Sequence, residues 1–218
     1  MPKIHLSPER TVATKKKNIG KIILFCEGKT EKYYFDYFAD IINVDGNKYN
    51  NVVVQTKNVG GNAQRVLDFA EDFLIEESNN RIYSSYGKYL IFDCDAPKDI
   101  SSVINSANNS TKDYILLISN HFFETWLLMH FEDVDSKLSK RVTYQHLSLH
   151  LTSDYKKGQK GRTREILHNG DIEKAIENAK RLAENYSRAD MTIYDSIDKM
   201  NPYSNIYTLV EQLMLLIS

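Results

Sequence analysis

The fold of this chain is decided by the stretch Ile22-Ile23-Leu24-Phe25-Cys26-Glu27-Gly28-Lys29-Thr30. Its first five residues form a short, continuous apolar run, which is typical of a strand covered on both faces. The run ends in polar residues and a glycine, and Thr30 is predicted to cap a helix over residues 31–42. A buried strand that passes directly into a helix is the beginning of an α/β unit.

The same order of strand and helix recurs along the chain. Further strands are predicted at 52–54, 89–92 and 114–118, and helices at 66–74 and 121–131. Strands that alternate with helices favour a mostly parallel sheet with helices on both sides. The predicted fold class is therefore α/β, with a mostly parallel sheet flanked by helices and a helical C-terminal extension.

Three regions are predicted from changes in composition. Residues 1–20 form a basic, flexible tail, which is either solvated or an arm that contacts phosphate. Residues 21–132 form the core that carries the metal site. Residues 133–218 contain a basic loop, with five basic and two acidic residues at 154–165, and amphipathic helices that pack on the core.

Bulk composition excludes several classes of protein. The 28 basic and 29 acidic residues give a net charge of −1, so any nucleic-acid contact must come from a local patch. Cys26 and Cys94 provide neither a disulfide framework nor a recognisable metal-binding spacing, and we expect reduced thiols. No apolar stretch approaches the ~20 residues that cross a bilayer, and no signal peptide is recognisable. We expect a cytoplasmic protein without a membrane partner.

Carboxylates follow two of the predicted strands. Glu27 comes after the first strand, and Asp93 and Asp95 come after the strand at 89–92. In open α/β sheets the functional crevice lies beyond the carboxyl ends of the strands. Each residue alone reads as a turn former or a surface residue, but carboxylates held together repel one another unless a cation neutralises them. The set therefore predicts a site for Mg²⁺ or Mn²⁺, which prefer hard oxygen ligands.

Four stretches resemble sequence blocks of RloB-like proteins, which are Toprim-related proteins found in bacterial defence and restriction-associated loci. FCEGKTEKYYF at 25–35 is similar to EGxTExxYF, FDCD at 92–95 to F-D-x-D, SNHFFETWLLMHF at 119–131 to SNPxFExWLLxHF, and NPYSNIY at 201–207 to NPsTxv. The resemblance runs from about residue 20 to the end of the sequence. His121 replaces the usual proline and Ser204 the usual threonine, whereas all of the carboxylates match.

The resemblance implies a Toprim-like fold and metal-dependent nuclease chemistry, in which Glu27, Asp93 and Asp95 are catalytic. It also implies a role in anti-phage defence, and an ATPase partner is expected because such a protein is often encoded beside one. The substrate, DNA or RNA, stays open. The alternative is a non-catalytic sensor or adaptor that binds nucleic acid or a nucleotide in the same pocket. Primase or topoisomerase activity is disfavoured, because no nucleophilic tyrosine lies in a recognisable context.

Two further acidic residues are candidate metal ligands. Glu31 is either an acid that suits a helix N-terminus or, as in related nucleases with an EGxxE element, a ligand. Glu124 lies in an otherwise apolar helix and therefore needs a partner, which is either a metal or a structural salt bridge or cap. The predicted metal ligands are Glu27, Glu31, Asp93, Asp95 and Glu124.

Basic residues are candidates for phosphate contacts. Lys156 or Lys157 is expected to neutralise the leaving oxygen. The predicted nucleic-acid contacts are Lys29, Lys156, Lys157, Lys160, Arg162 and Arg164, and the alternative is a solvated loop. Ser119 and Asn120 are read as helix caps or ligands. Trp126 is predicted to lie in the core, and His130 to be a packed, hydrogen-bonded histidine.

Overall fold

A computed structural model describes residues 19–44, 52–95 and 97–217, although the side chains of 97–99 are not part of this description. The predicted tail at 1–20 therefore lies almost wholly outside the described residues. One sheet contains strands β1 (Lys21–Cys26), β2 (Val53–Asn58), β3 (Gly87–Asp93), β4 (Tyr114–Asn120) and β5 (Tyr203–Ser204), in the order β2-β1-β3-β4-β5. The first four strands are parallel and β5 is antiparallel to β4. The predicted α/β fold with a mostly parallel sheet is confirmed.

Helices cover both faces of this sheet. They are α1 (Lys29–Val44), α2 (Ala63–Ile75), α3 (Glu77–Tyr83), α4 (Pro97–Asn108), α5 (Phe123–Leu128), α6 (Lys140–Leu149), α7 (Lys160–Asn169), α8 (Ile172–Arg188) and α9 (Tyr207–Ile217). Alternate residues of β1 enter two separate apolar clusters, one with α1, α5, α7 and α9 and the other with α2 and α4. Among the described helices, none has the length and apolarity that crossing a membrane requires.

Two predicted helix boundaries are wrong. The first helix begins at Lys29, so Thr30 is not its cap; Thr30 is buried, and its hydroxyl accepts a hydrogen bond from the Gly158 N–H at 2.9 Å. The helix predicted at 121–131 is shortened to α5, because β4 continues to Asn120 and the chain after Leu128 tightens into i→i−3 hydrogen bonds.

The C-terminal motif completes the sheet beside the candidate site. The Asn205 carboxamide accepts from the Ile118 N–H and donates to the Leu116 carbonyl, so a side chain pairs with the outer edge of β4. Ser119 lies 3.2 Å from Ser204 between hydroxyl oxygens, and the Asn120 amide donates to the Ile197 carbonyl. The predicted capping role of Ser119 and Asn120 is therefore wrong, because both belong to β4 and hold β5 in place.

Candidate metal centre

Four carboxylates meet at the carboxyl edge of the sheet. Glu27 follows β1 and Asp93 ends β3, and parallel strands bring these ends to one edge. Glu31 and Glu124 lie in the first turns of α1 and α5, where the helix dipole favours negative charge. All four residues are buried, with exposed fractions from 0% for Glu124 to 9% for Glu27.

The ammonium of Lys157 lies among three of these carboxylates. Its Nζ atom is 3.3 Å from Asp93 Oδ2, 3.9 Å from Glu31 Oε1 and 3.9 Å from Glu124 Oε2. The acidic side chains are at most 5% exposed, whereas the lysine side chain is 35% exposed and enters from the segment between α6 and α7. One positive charge therefore faces three buried acids.

The two remaining predicted acids lie differently. Glu27 Oε2 accepts a hydrogen bond from the Asp93 N–H at 3.0 Å, which fixes its carboxylate beside β3. Asp95 is exposed and lies in a bend, because the strand ends at Asp93. Asp95 therefore lies outside the buried set, although it lines the same cleft as Asp93.

The protonation equilibria of the site reflect its burial. Burial raises the pKa of Glu27 to about 7, and the Asp93 charge adds to this rise. Burial also raises the pKa of Glu31 to about 7, although Lys157 opposes the shift. The pKa of Asp93 lies well above its usual range, through burial and the nearby Glu31 charge. For Lys157 burial lowers the pKa, but the surrounding carboxylates outweigh it and the pKa is raised.

Several carboxylate oxygens at the site have no hydrogen-bond donor. They are both oxygens of Glu31, Oδ1 of Asp93 and Oε2 of Glu124. The other oxygen of Glu124 accepts from the hydroxyls of Tyr155 at 2.9 Å and Tyr144 at 3.3 Å, so Glu124 is held with its second oxygen toward Lys157. Buried acceptors without donors are uncommon, and hard anionic oxygens are the ligands that Mg²⁺ prefers. This donor set fits a divalent cation.

The carboxylates are spread around an ammonium. Within the described ranges, no group of three or more Asp, Glu, His or Cys side chains is arranged to hold a metal ion directly. The 3.3–3.9 Å separations from Lys157 Nζ also exceed the Mg–oxygen distance of about 2.1 Å. A metal could therefore bind here only if the carboxylates close inward and the Lys157 ammonium moves away.

An open cleft of about 400 Å³ leads to this centre. It is lined by Glu27, Asp93, Asp95, His121, Phe122, Lys137, Leu138, Ser139, Lys140 and Lys157. Sequence reasoning did not single out Lys137 or Lys140, and it noted His121 only as a replacement for the proline that is usual in the family. No motif surrounds the two lysines, so their place in the cleft arises from the way the chain enters α6.

The match to known families covers almost the whole described chain. Residues 22–213 match the family described as RloB-like protein. The chain belongs to the RloB-like family. No curated protein and no solved structure gives a significant match.

The basic segment of this RloB-like protein is only partly available to a ligand. Its second half forms the beginning of α7, where Arg162 pairs with Glu165, and Arg164 pairs with Asp40 of α1 at 3.2 Å. Lys29, Lys156 and Lys160 are exposed but do not line the cleft. Among the predicted nucleic-acid contacts, Lys157 lines the cleft, and the arginines tie α7 to its neighbours.

His130 belongs to the core of this RloB-like protein. Its Nδ1–H donates to the Trp126 carbonyl, and the Tyr34 hydroxyl donates to its Nε2 at 3.1 Å. Burial lowers its pKa to about 4, so the ring is neutral near pH 7. The predictions of a packed His130 and a core Trp126 are confirmed.

The raised carboxyl pKa values predict a pH dependence of stability in EDTA. A folded-state pKa of about 7, against the ordinary 4.5, stabilises the fold below about pH 4.5, and this contribution is lost as the pH rises through about 7. The contribution of each glutamate, Glu27 or Glu31, to the free energy of unfolding then falls by at most about 3 kcal/mol. The measurement is thermal unfolding from about pH 5 to pH 8, compared with the Glu27→Gln plus Glu31→Gln double variant.

The comparison with this variant reports on the two glutamates and on Asp93, whose pKa the Glu31 charge raises. His130 has the opposite pH dependence, because its lowered pKa destabilises the fold as the pH falls, and it contributes equally to both proteins. The difference in stability between variant and parent should therefore grow with pH. A difference that is constant across this range would show that neither glutamate titrates abnormally.

Proposed function

We propose that this RloB-like protein is a divalent-metal-dependent nuclease that hydrolyses phosphodiester bonds. The observation that carries the proposal is the excess of buried carboxylates around one lysine, with four oxygens that lack a hydrogen-bond donor. Keeping such charge at the carboxyl edge of a sheet is costly for stability. The cost is understandable where these groups bind a cation and a phosphate.

The chain's own residues suit this chemistry. When bound, Mg²⁺ or Mn²⁺ would activate water and stabilise negative charge on the scissile phosphate. Glu27, whose pKa is about 7, is fixed by the Asp93 N–H and can accept a proton from water near neutral pH. Lys157 carries a positive charge at the mouth of the centre and can neutralise the leaving oxygen. The tyrosine hydroxyls on Glu124 hold that carboxylate in position.

The wider biological role follows from the family resemblance. We propose that the nuclease acts in antiviral defence and that an ATPase partner controls it. The rival function is a non-catalytic adaptor that holds nucleic acid or a nucleotide in the cleft. A pocket that only bound polyanions would bind them better without Glu27, Glu31, Asp93 and Glu124, because these charges repel phosphate. The four buried acids therefore favour catalysis over simple binding.

The test is cleavage by the purified chain. Plasmid, single-stranded DNA and transfer RNA are incubated with the protein in Mn²⁺ and in EDTA, and the products are separated by electrophoresis. We expect degradation of at least one substrate in Mn²⁺ and none in EDTA. If Mn²⁺ raises the melting temperature but leaves all three substrates intact, the nuclease proposal fails and the adaptor is favoured.

A further inference from the structure

One wall of the cleft is basic, whereas Glu27, Asp93 and Asp95 form its acidic floor. Lys137 and Lys140 line this wall, on either side of Ser139, which caps α6. Neither lysine has an ion-pair partner among the described residues, whereas Lys157 has three. The wall therefore presents two positive charges that no carboxylate of the described chain neutralises.

The three acidic residues between α5 and α6 have partners that do not line the cleft, and Glu132 contacts His146 and His150, each at 2.8 Å. Asp135 pairs with Arg181 at 2.6 Å, and Asp133 lies 4.0 Å from Lys174 between the charged atoms. Both partners belong to α8, and neither lines the cleft. These acids are therefore paired away from the cleft lining, whereas Lys137 and Lys140 line it.

We propose that Lys137 and Lys140 bind the sugar–phosphate backbone of a single-stranded nucleic acid, and that such a strand is the substrate of this site. The inference rests on the proposed nuclease function and names its substrate class. A phosphate near Asp93 meets repulsion from the buried carboxylates, so positive charge nearby is needed to hold the strand. Asp93 lines the same cleft as the two lysines, so a strand held on this wall would lie beside the acids of the proposed reaction.

The dimensions of the cleft favour a single strand over a duplex. A volume of about 400 Å³ is typical of a pocket for a small ligand, so the cleft can take one unpaired nucleotide of a flexible strand. The cleft also contains the ring of His121, whose Nδ1–H donates to the Cys94 carbonyl at 3.2 Å. Sites for single strands combine basic residues along the backbone with fixed rings on which bases stack.

The test is binding of a labelled single-stranded oligonucleotide in EDTA, measured by fluorescence anisotropy over a range of salt. Lys137→Ala plus Lys140→Ala should weaken binding and reduce the slope of log affinity against log salt by about 1.4, which is about 0.7 for each phosphate that the protein no longer neutralises. The matched control is Arg81→Ala plus Lys112→Ala. It removes the same charge near the amino ends of β3 and β4, away from the cleft. Equal slopes in the two double variants would overturn the proposal.

Two further measurements complete the test. His121→Ala should weaken single-strand binding about tenfold while leaving the salt slope unchanged, because stacking releases no counterions. A duplex of the same sequence should bind at least about tenfold more weakly than the strand, and equal affinity would overturn the choice of a single strand. Because these measurements need no metal, their failure leaves the cleavage result standing. Binding without any cleavage would sink the nuclease proposal alone.

Discussion

Asp93→Asn is expected to abolish Mn²⁺-dependent cleavage, with a fall in rate of at least about a thousandfold. Asparagine keeps the shape of the side chain but removes the charge that would hold a divalent cation. Asp93 is the acid nearest to Lys157, at 3.3 Å, and its other oxygen has no hydrogen-bond donor. The variant should therefore lose the proposed binding of a cation without losing a hydrogen bond to Oδ1, which accepts none in the parent.

The fold of this variant should survive. Two buried carboxylates, those of Glu31 and Glu124, remain within 4 Å of Lys157 Nζ after the substitution, and one costly buried charge has been removed. We expect a melting temperature in EDTA that equals or exceeds that of the parent, and a much smaller rise on addition of Mn²⁺. The oligonucleotide should bind at least as tightly as before, because a charge that repels phosphate is gone.

Asp113→Asn is the matched control, because it makes the same chemical change at the opposite end of the sheet. Asp113 is exposed and has a φ of 53°, a conformation that asparagine also adopts readily. This control should cleave like the parent. A folded Asp93→Asn protein that cleaves at the parental rate would remove Asp93 from the reaction. A folded Asp93→Asn protein that no longer cleaves nucleic acid but still protects cells against phage would instead favour the adaptor.

The parts predictable from the sequence depend on local patterns. The runs at 22–26 and 89–92 are apolar enough to be buried on both faces, and parallel pairing then brings the following acids together. Glu31 and Glu124 join them because each lies at the beginning of a helix that starts at the same edge. Strand ends and helix starts can be predicted from a sequence, and the acids that lie at these positions can therefore be predicted with them.

The remaining parts depend on contacts between distant segments. Lys157 reaches the acids because α7 packs on α1, and the Gly158 N–H donates to Thr30 across that packing. The same contact explains why Thr30 is not a helix cap: a tertiary hydrogen bond replaces the local one that its residue type favours. The two cleft lysines and the two tyrosines that donate to Glu124 come from a region where we recognised no helical or strand periodicity in the sequence. No local rule could therefore place them at the site.

Lys157→Met is expected to destabilise the protein in EDTA by about 2–3 kcal/mol near pH 8. Methionine keeps most of the side-chain volume but removes the one described cation within 4 Å of Glu31, Asp93 and Glu124. Removing one partner from a fully buried ion pair costs more than this, and the lower figure reflects a lysine that is 35% exposed. The loss should shrink toward about pH 5, where the acids can become protonated instead.

Mn²⁺ should raise the melting temperature of Lys157→Met by more than that of the parent. Lys157 Nζ contacts three of the carboxylates that we propose as cation ligands, so in the parent a bound divalent cation would have to displace the lysine. The Met variant lacks this competitor, and we expect Mn²⁺ to bind it more tightly and to raise its melting temperature by more than that of the parent. Isothermal titration calorimetry and thermal unfolding with and without Mn²⁺ measure both effects.

Lys156→Met provides the control, because it changes the adjacent, exposed lysine, which has no ion-pair partner among the described residues. It should alter neither the stability in EDTA nor the affinity for Mn²⁺. Cleavage by Lys157→Met should still fall, despite the tighter metal binding, if the lysine neutralises the leaving oxygen. Equal stability of the two Met variants would instead show that Lys157 does not balance the carboxylates. Equal affinities for Mn²⁺ would show that metal and lysine do not compete for one place.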